Sequence, residues 1–321
     1  MLRIGYEIFV TPYASVTNIF RMLLYQKYKN HPKLINLPLK KSMRPILSPK
    51  DLLELLQTQN IILIDARAGL NAKENYETAH LAGAIWVDLE TELSEKKPDA
   101  AQGGRHPLPT VQNFATLLSR LGITPESHVV VYDNKNGANA AARFWWMLRA
   151  IGHQKVQVLD GGYQAALNVG FATNTGSEIP NSTAAYPAAT WQLPLAGINE
   201  VAQAASAEAA LVIDVREAGR YLGQFEPIDL VAGHIPGAIN IPFAENLDAD
   251  GSFLPPAQLK DKYTEALGFF DADKVIVHCG SGVTACHTLL AIAQAGMELP
   301  KLYVGSWSEW SRNDRPIATG A

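Results

Sequence analysis

The segment IILIDAR, residues 61–67, has a second copy, LVIDVR, at residues 211–216, and this repeat is the strongest indication of the fold. Two further landmarks repeat in the same order, HLAGAI as HIPGAI and VVVYD as VIVHC (80–85 and 234–239, 129–133 and 275–279). A fixed order of landmarks at a nearly constant offset marks a duplicated structural unit. We therefore expect two similar domains in one chain.

Short β-branched runs alternate with helical stretches in both halves. The runs are typical of strands that are buried on both faces, and they cover 61–64, 129–132, 156–159, 211–213, 275–278 and 302–304. The helical stretches lie at 49–57, 110–121, 139–150, 198–205, 256–267 and 283–295. Strands and helices in alternation predict an α/β fold, in which each half is a parallel β-sheet with helices on both faces.

The domain boundaries follow from composition. Residues 172–194 are rich in Thr, Asn, Ser, Pro and Ala, which is typical of a linker. We expect one domain over 45–171 and the other over 195–321. Residues 1–44 contain eight basic residues and one acidic residue. Three interpretations stay open for them: a transit-type leader, a disordered extension, or a start codon placed upstream of the true first residue, Met43.

Composition excludes several classes of protein. The 321 residues carry a net charge of -4, which argues against a globally basic nucleic-acid-binding protein. No apolar run reaches the roughly 18 residues of a membrane-spanning helix, so we expect no membrane partner. Cys279 and Cys286 are the two cysteines, too few for a disulfide framework or a four-cysteine zinc site. They favour a reducing compartment: the cytoplasm, or the mitochondrion if residues 1–44 are a transit peptide.

The two halves differ most at the end of the third landmark. The first half has Asp133 there, whereas the second has CGSGVTA, residues 279–285. A strand that runs into a loop of small residues and then into a helix directs backbone N–H groups at one point and can hold an anion. Such a loop would stabilise the thiolate of Cys279. Cys286 lies about two turns into the following helix, where packing is the simpler interpretation.

One class of cysteine enzyme can be excluded from the loop itself. Cysteine-dependent phosphatases need an arginine six positions after the nucleophile, because its guanidinium binds phosphate oxygens in a bidentate manner. Ala285 occupies that position here. The sequence therefore argues against a phosphatase.

The loop resembles the active-site loop of the 3-mercaptopyruvate sulfurtransferases, which lie within the rhodanese superfamily. GHIPGA at 233–238 and GSWSEW at 305–310 resemble two signatures of that superfamily, and the resemblance covers roughly residues 45–321. It implies two tandem rhodanese-like domains, the first inactive, with Asp133 in the cysteine position, and the second catalytic.

The resemblance also implies an activity. A sulfane sulfur would pass from 3-mercaptopyruvate or thiosulfate to a thiol acceptor such as thioredoxin, or to cyanide, through a persulfide on Cys279. No metal or organic cofactor would be needed. The neutral pair Gly280 and Ser281 favours mercaptopyruvate, since family members that prefer thiosulfate usually carry basic residues there. A tandem module that carries sulfur without turnover is the alternative.

Individual roles follow from the same resemblance. Cys279 would be the nucleophile, and Ser281 would relay a proton together with His80 of the first domain. A structural role for His80, in which it caps a turn, stays open as the alternative. Arg220 matches the substrate-binding arginine of the family. The backbone N–H groups that would face the persulfide and the substrate belong to Gly280, Ser281, Gly282, Val283 and Thr284.

Two departures from the family pattern concern charge. Mercaptopyruvate enzymes typically place a second arginine just before the GHIPGA signature, where this chain has EPID at 226–229. Arg105, from the first domain, could supply the missing cation. Asn71 stands about where the aspartate of the relay is expected.

Overall fold

The computed structural model describes residues 43–206 and 210–320. Residues 1–44, for which three interpretations stay open, lie outside these ranges except for Met43 and Arg44. Within them the chain forms one compact unit that contains both halves of the repeat. None of the described helices is long and apolar enough to cross a membrane.

The first half contains a parallel sheet with helices around it. In sheet order the strands are β1 (Ile46–Leu47), β6 (Val156–Leu159), β5 (His128–Tyr132), β2 (Ile61–Asp65) and β4 (Ile85–Trp86). A separate antiparallel pair joins β3 (His80–Leu81) to β7 (Thr173–Asn174). The helices are α1 (Pro49–Leu56), α2 (Ala72–Thr78), α3 (Val111–Arg120), α4 (Ala141–Ala150) and α5 (Gly162–Asn168).

The second half repeats this plan with a smaller sheet. In sheet order its parallel strands are β11 (Lys301–Leu302), β10 (Val275–His278), β8 (Leu211–Asp214) and β9 (Ile239–Asn240). The helices are α6 (Ile198–Ala205), α7 (Ala218–Tyr221), α8 (Pro256–Leu267), α9 (Thr284–Gln294) and α10 (Ser306–Trp310). Two short 3₁₀ helices cover Phe243–Asn246 and Ala272–Lys274.

Both faces of each sheet are buried. In β5, Val129 and Val131 belong to one apolar core and Val130 to another. The same alternation separates Val277 from Ile276 in β10. Because successive side chains of a strand point to opposite faces, two cores mean helices on both sides of the sheet. The predicted α/β fold with two parallel sheets is confirmed.

Helix starts follow local side-chain chemistry. The hydroxyl of Ser48 accepts from the N–H of Asp51 at 3.1 Å, and that of Thr110 accepts from the N–H of Asn113 at 3.1 Å. These side chains satisfy N–H groups that the first turn of a helix leaves without a partner. They fix where α1 and α3 begin.

The Asp–Arg pair is present in both halves. Arg67 Nη2 lies 2.7 Å from Asp65 Oδ2, and Arg216 Nη2 lies 2.6 Å from Asp214 Oδ2. All four side chains are buried. Since the half without the cysteine keeps the same pair, its role is to hold the end of the strand and the following loop.

The two halves share one interior. Helix α4 packs against α9, and a single apolar core includes residues of both. Arg143 of α4, which is fully buried, reaches beneath the CGSGVTA loop and donates to the carbonyl of Gly282 at 3.1 Å. It also donates to the carbonyls of His106 at 3.0 Å and Leu93 at 3.4 Å. The interface between the halves therefore supports the loop.

Candidate active site

Cys279 follows directly on β10, at the carboxyl end of a central strand of the second sheet. Its side chain is buried, at 1% exposure. Gly282 bends the loop back with a φ of 75°, and a Cβ there would lie 2.5 Å from the carbonyl oxygen of Val304. Only glycine fits this turn without strain.

The carbonyl groups of the loop are held from outside. Trp307 N–H donates to Cys279 O at 3.0 Å, and Ser308 N–H donates to Gly280 O at 2.9 Å. With the bond from Arg143 to Gly282, three carbonyls of the loop point away from its interior. These bonds use the carbonyl groups of the loop and leave its N–H groups to be considered separately.

The N–H group of Cys279 donates to Ser306 Oγ at 3.2 Å. The next five N–H groups have no acceptor within residues 43–206 and 210–320; they belong to Gly280, Ser281, Gly282, Val283 and Thr284. Buried N–H groups are rarely left without a partner. Consecutive free N–H groups beside a helix N-terminus are the arrangement that binds an anion. The geometry fits a cradle for a persulfide.

The first half fills the corresponding cradle with its own side chain. The carboxylate of Asp133 accepts from the N–H groups of Lys135 at 2.8 Å and Gly137 at 2.9 Å through Oδ1. Its Oδ2 accepts from Asn139 at 3.1 Å and Ala141 at 3.2 Å. An external anion would find these donors already taken.

Ser281 forms a chain of hydrogen bonds with two residues of the first half, which is the arrangement expected of a proton relay. Its Oγ lies 2.8 Å from Nδ1 of His106, whose Nε2 lies 3.2 Å from Oε1 of Glu90. Burial lowers the pKa of His106 to about 4, so the ring is neutral near pH 7. Burial alone would raise the pKa of Glu90, but Lys96 and His106 lower it. A carboxylate can only accept, so Nε2 carries the proton and Ser281 donates to Nδ1.

His80 does not contact Ser281, and this corrects the sequence-based expectation. Its Nδ1 lies 2.8 Å from the carbonyl of Tyr76, and its ring stacks on Tyr76 at 4.1 Å. The repeat partner His234 does the same on Tyr221, at 2.8 Å and 3.8 Å. A contact kept in both halves stabilises the fold of each. The histidine beside Ser281 is His106.

Arg220 and Arg105 converge on the loop. A Cβ added at Gly280 would lie 3.5 Å from Arg220 Nη2 and 3.1 Å from Arg105 Nη2. Arg220 is paired with Glu226, Nη2 to Oε1 at 2.7 Å, and with Asp229 Oδ2 at 3.3 Å. The structure thus places Arg105 of the first half beside Arg220, the predicted substrate-binding arginine of the second half. Both acidic residues that replace the family's second arginine bind these cations.

Cys286 is part of the interior. Its side chain is fully buried, and Sγ lies 3.3 Å from the carbonyl oxygen of Gly282. Burial raises the pKa of this thiol to about 12. It stays protonated near neutral pH, which agrees with a packing role.

Acid should destabilise the protein through its buried histidines. Burial lowers the pKa of His106 to about 4 and of His287 to about 3, and it also lowers the pKa of His153 and His278. Unfolded histidine titrates near about 6.5, so the unfolded chain binds more protons below that pH. The free energy of unfolding should therefore fall from about pH 6.5 to about pH 4. Each such histidine lowers the free energy of unfolding at low pH by about 1.4 kcal/mol for every unit by which its pKa in the folded protein lies below its pKa in the unfolded chain.

Thermal unfolding across this pH range measures the effect. His287→Gln should make the dependence shallower, because it removes one of the titrating groups. A melting temperature that stays constant from pH 7 to about pH 4 would contradict the expected linkage.

Comparisons with known proteins agree with this geometry. The Rhodanese-like domain family matches residues 48–168 and 198–313. A protein of Pseudomonas aeruginosa named probable 3-mercaptopyruvate sulfurtransferase is 39% identical over 287 residues, 87% of this chain and 99% of that protein. Thiosulfate sulfurtransferase of Rattus norvegicus is 34% identical over 253 residues, 76% of this chain and 82% of that protein.

A solved structure shows the same fold. The 3-mercaptopyruvate sulfurtransferase from Leishmania major superposes with a TM-score of 0.73 at 29% identity, covering 84% of this chain and 74% of that chain. The chain belongs to the rhodanese family, with two rhodanese-like domains in tandem. The enzyme class expected from the loop, a sulfurtransferase, is confirmed.

Proposed function

We propose that this chain takes a sulfane sulfur from 3-mercaptopyruvate and passes it to a thiol or to cyanide through a persulfide on Cys279. The observation that carries this proposal is the loop of free N–H groups after Cys279, with Ser281 bound to His106. These donors would stabilise a persulfide anion without having to reorganise. A small dithiol protein such as thioredoxin has the chemistry of the acceptor.

The sulfur-loading step would proceed by attack of the Cys279 thiolate on the donor sulfur. An S–S bond forms while the bond between the sulfur and carbon 3 breaks, and the electron pair leaves with pyruvate enolate. The thiol proton of the donor passes to Ser281 Oγ as the serine proton moves to His106 Nδ1. The same path returns a proton to the enolate carbon, which gives pyruvate and a cysteine persulfide.

Transfer to the acceptor completes a ping-pong cycle. An acceptor thiolate attacks the outer sulfur of the persulfide, and the Cys279 thiolate leaves. Both cysteines are free thiols in the structure. Because the cycle needs a reduced Cys279, we propose a reducing compartment for the reaction: the cytoplasm, or the mitochondrion if residues 1–44 are a transit peptide.

Donor preference follows from charge at the loop. Gly280 and Ser281 bring no cation, whereas thiosulfate is a dianion that needs more positive charge than a monocarboxylate. We expect kcat/KM for 3-mercaptopyruvate to exceed that for thiosulfate by about tenfold or more, the effect of roughly 1.4 kcal/mol in transition-state binding.

Steady-state assays with both donors and cyanide as the acceptor test this preference on one preparation. A ratio that favours thiosulfate would replace the proposed donor. Mass spectrometry of the protein after exposure to either donor tests the persulfide. A stable gain of one sulfur atom on Cys279 without turnover would favour a sulfur carrier.

A further inference from the structure

The side chain of Asp229 is buried in a segment whose apolar residues are exposed. Its side chain has 0% exposure, whereas Ile228 is 54% and Leu230 is 61% exposed. This reverses the usual pattern, since a carboxylate is almost never fully buried unless it is paired. Strong partners must therefore hold Asp229 in place.

Three arginines surround the Asp229 carboxylate. Arg105 Nε lies 3.0 Å from Oδ1, Arg312 Nη1 lies 3.1 Å from Oδ1, and Arg220 Nη2 lies 3.3 Å from Oδ2. Arg105 belongs to the first half, and the other two belong to the second. Asp229 thus ties the halves together where they meet.

This cluster lies over the active-site loop. A Cβ at Gly280 would come within 3.1 Å of Arg105 Nη2, 3.5 Å of Arg220 Nη2 and 3.6 Å of Asp229 Oδ2. The residue beneath, Cys279, is only 1% exposed. Two guanidinium groups that share a carboxylate form a ready-made carboxylate site, and here it stands one residue from the nucleophile.

Glu226 directs Asp229 into this position. Its Oε1 accepts from the N–H groups of Ile228 and Asp229, both at 3.0 Å, which forms a tight turn. The same carboxylate pairs with Arg220 through Oε1 at 2.7 Å. The turn leaves the two neighbours of Asp229 in solvent, so the aspartate is the buried anchor of its segment.

We infer that Asp229 occupies the position of the donor's carboxylate and closes the site until a donor exchanges with it. This inference rests on the proposed function, in which the donor carries one carboxylate. In the exchange Asp229 leaves Arg105 and Arg220 and turns toward solvent, while the donor's carboxylate takes its place between them. No covalent bond changes. Asp229 is then a specificity determinant, because a donor without a carboxylate competes less well with Asp229 for the two arginines.

The test uses pyruvate as a probe, since it carries the carboxylate but no sulfur to transfer. Asp229→Asn keeps the shape of the side chain and removes its charge. The Kd for pyruvate, measured by calorimetry, should fall about ten- to a hundredfold, the range expected when hydrogen bonds to charged groups are released to a ligand. KM for 3-mercaptopyruvate should fall with it, while kcat changes less. Asp261→Asn, at an exposed position of α8, is the matched control and should change neither value.

An unchanged or weaker affinity for pyruvate would contradict the inference. If Asp229 only orients the arginines, Asp229→Asn would leave the Kd for pyruvate unchanged or raise it, and the inference is wrong. Should this variant not fold, Arg312→Gln is the second test. It removes one of the three cations that bind Asp229 and leaves Arg105 and Arg220 in place. In Arg312→Gln the Kd for pyruvate should fall severalfold. Pyruvate binding needs no sulfur transfer. An absence of mercaptopyruvate turnover in the unmodified protein would therefore count against the proposed function separately.

Discussion

Cys279→Ser should abolish sulfur transfer from both donors, with kcat/KM falling by about 10⁴-fold or more, as for other removed nucleophiles. A serine hydroxyl cannot form the S–S bond that stores the sulfur, and no other thiol in the described residues can replace it. Cys286 is fully buried, and its thiol stays protonated. Thiocyanate formation measures the rate, and the mass of the protein after exposure to donor shows whether a sulfur atom was loaded.

Cys286→Ser is the matched control for this variant. It makes the same chemical change seven positions along the chain, where the side chain bonds to the carbonyl of Gly282 and also interacts with Arg143. Most of the activity should remain, and both variants should melt near the temperature of the unmodified protein. Turnover by Cys279→Ser above the uncatalysed rate would remove the covalent mechanism.

Arg143→Lys should have the largest effect on stability, lowering the free energy of unfolding by about 3 kcal/mol. The planar guanidinium reaches three carbonyls at once, those of Gly282, His106 and Leu93. Lysine ends in a single ammonium group, which cannot reach all three carbonyls at once. Each buried acceptor left without a donor costs about 1–3 kcal/mol. Lysine is also the more strongly hydrated cation, so burying it is harder. Denaturant unfolding monitored by tryptophan fluorescence gives the difference.

Activity should fall together with stability in this variant. Arg143 fixes the carbonyl of Gly282 in the loop and that of His106 in the relay, so its loss frees both groups at once. Arg149→Lys, on the same helix but partly exposed and bonded to one backbone carbonyl, that of His153, should change the free energy of unfolding by about 1 kcal/mol or less. Equal effects of the two substitutions would show that burial of the cation at Arg143 contributes little.

The main strands were predictable because their signals are local. A continuous β-branched run such as 128–132 or 275–278 identifies a strand buried on both faces, and the repeat places the two halves in register. The two-residue strands, among them Ile85–Trp86 and Ile239–Asn240, are too short for any periodicity. Only their pairing with a longer neighbour defines them.

The loop after Cys279 was predictable for the same reason, since all its residues are consecutive. The relay was not, because 175 positions separate His106 from Ser281 and their contact depends on how the halves pack. A signal was nevertheless present. His80 has a repeat partner, His234, and a residue kept in both halves serves the fold, as the Asp65–Arg67 pair does. His106 has no such partner among the repeated landmarks, which favours a role specific to the active site.

The opposing charges near Arg220 were visible in sequence only as a missing arginine. That Asp229 turns inward toward three guanidinium groups depends on the turn formed by Glu226. Neither composition nor spacing predicts this, because the neighbouring side chains are apolar and would be expected inside in its place.

Because the carboxylate of Asp133 fills the first cradle, it limits the number of sulfur atoms that one chain can bind. Its four backbone bonds close the first cradle, and the first half contributes Glu90, Arg105 and His106 to the second. Two domains of one family in a single polypeptide would suggest room for two sulfur atoms, yet saturating donor should load one. Titration of bound sulfur against protein concentration should therefore give a stoichiometry of one, however great the excess of donor.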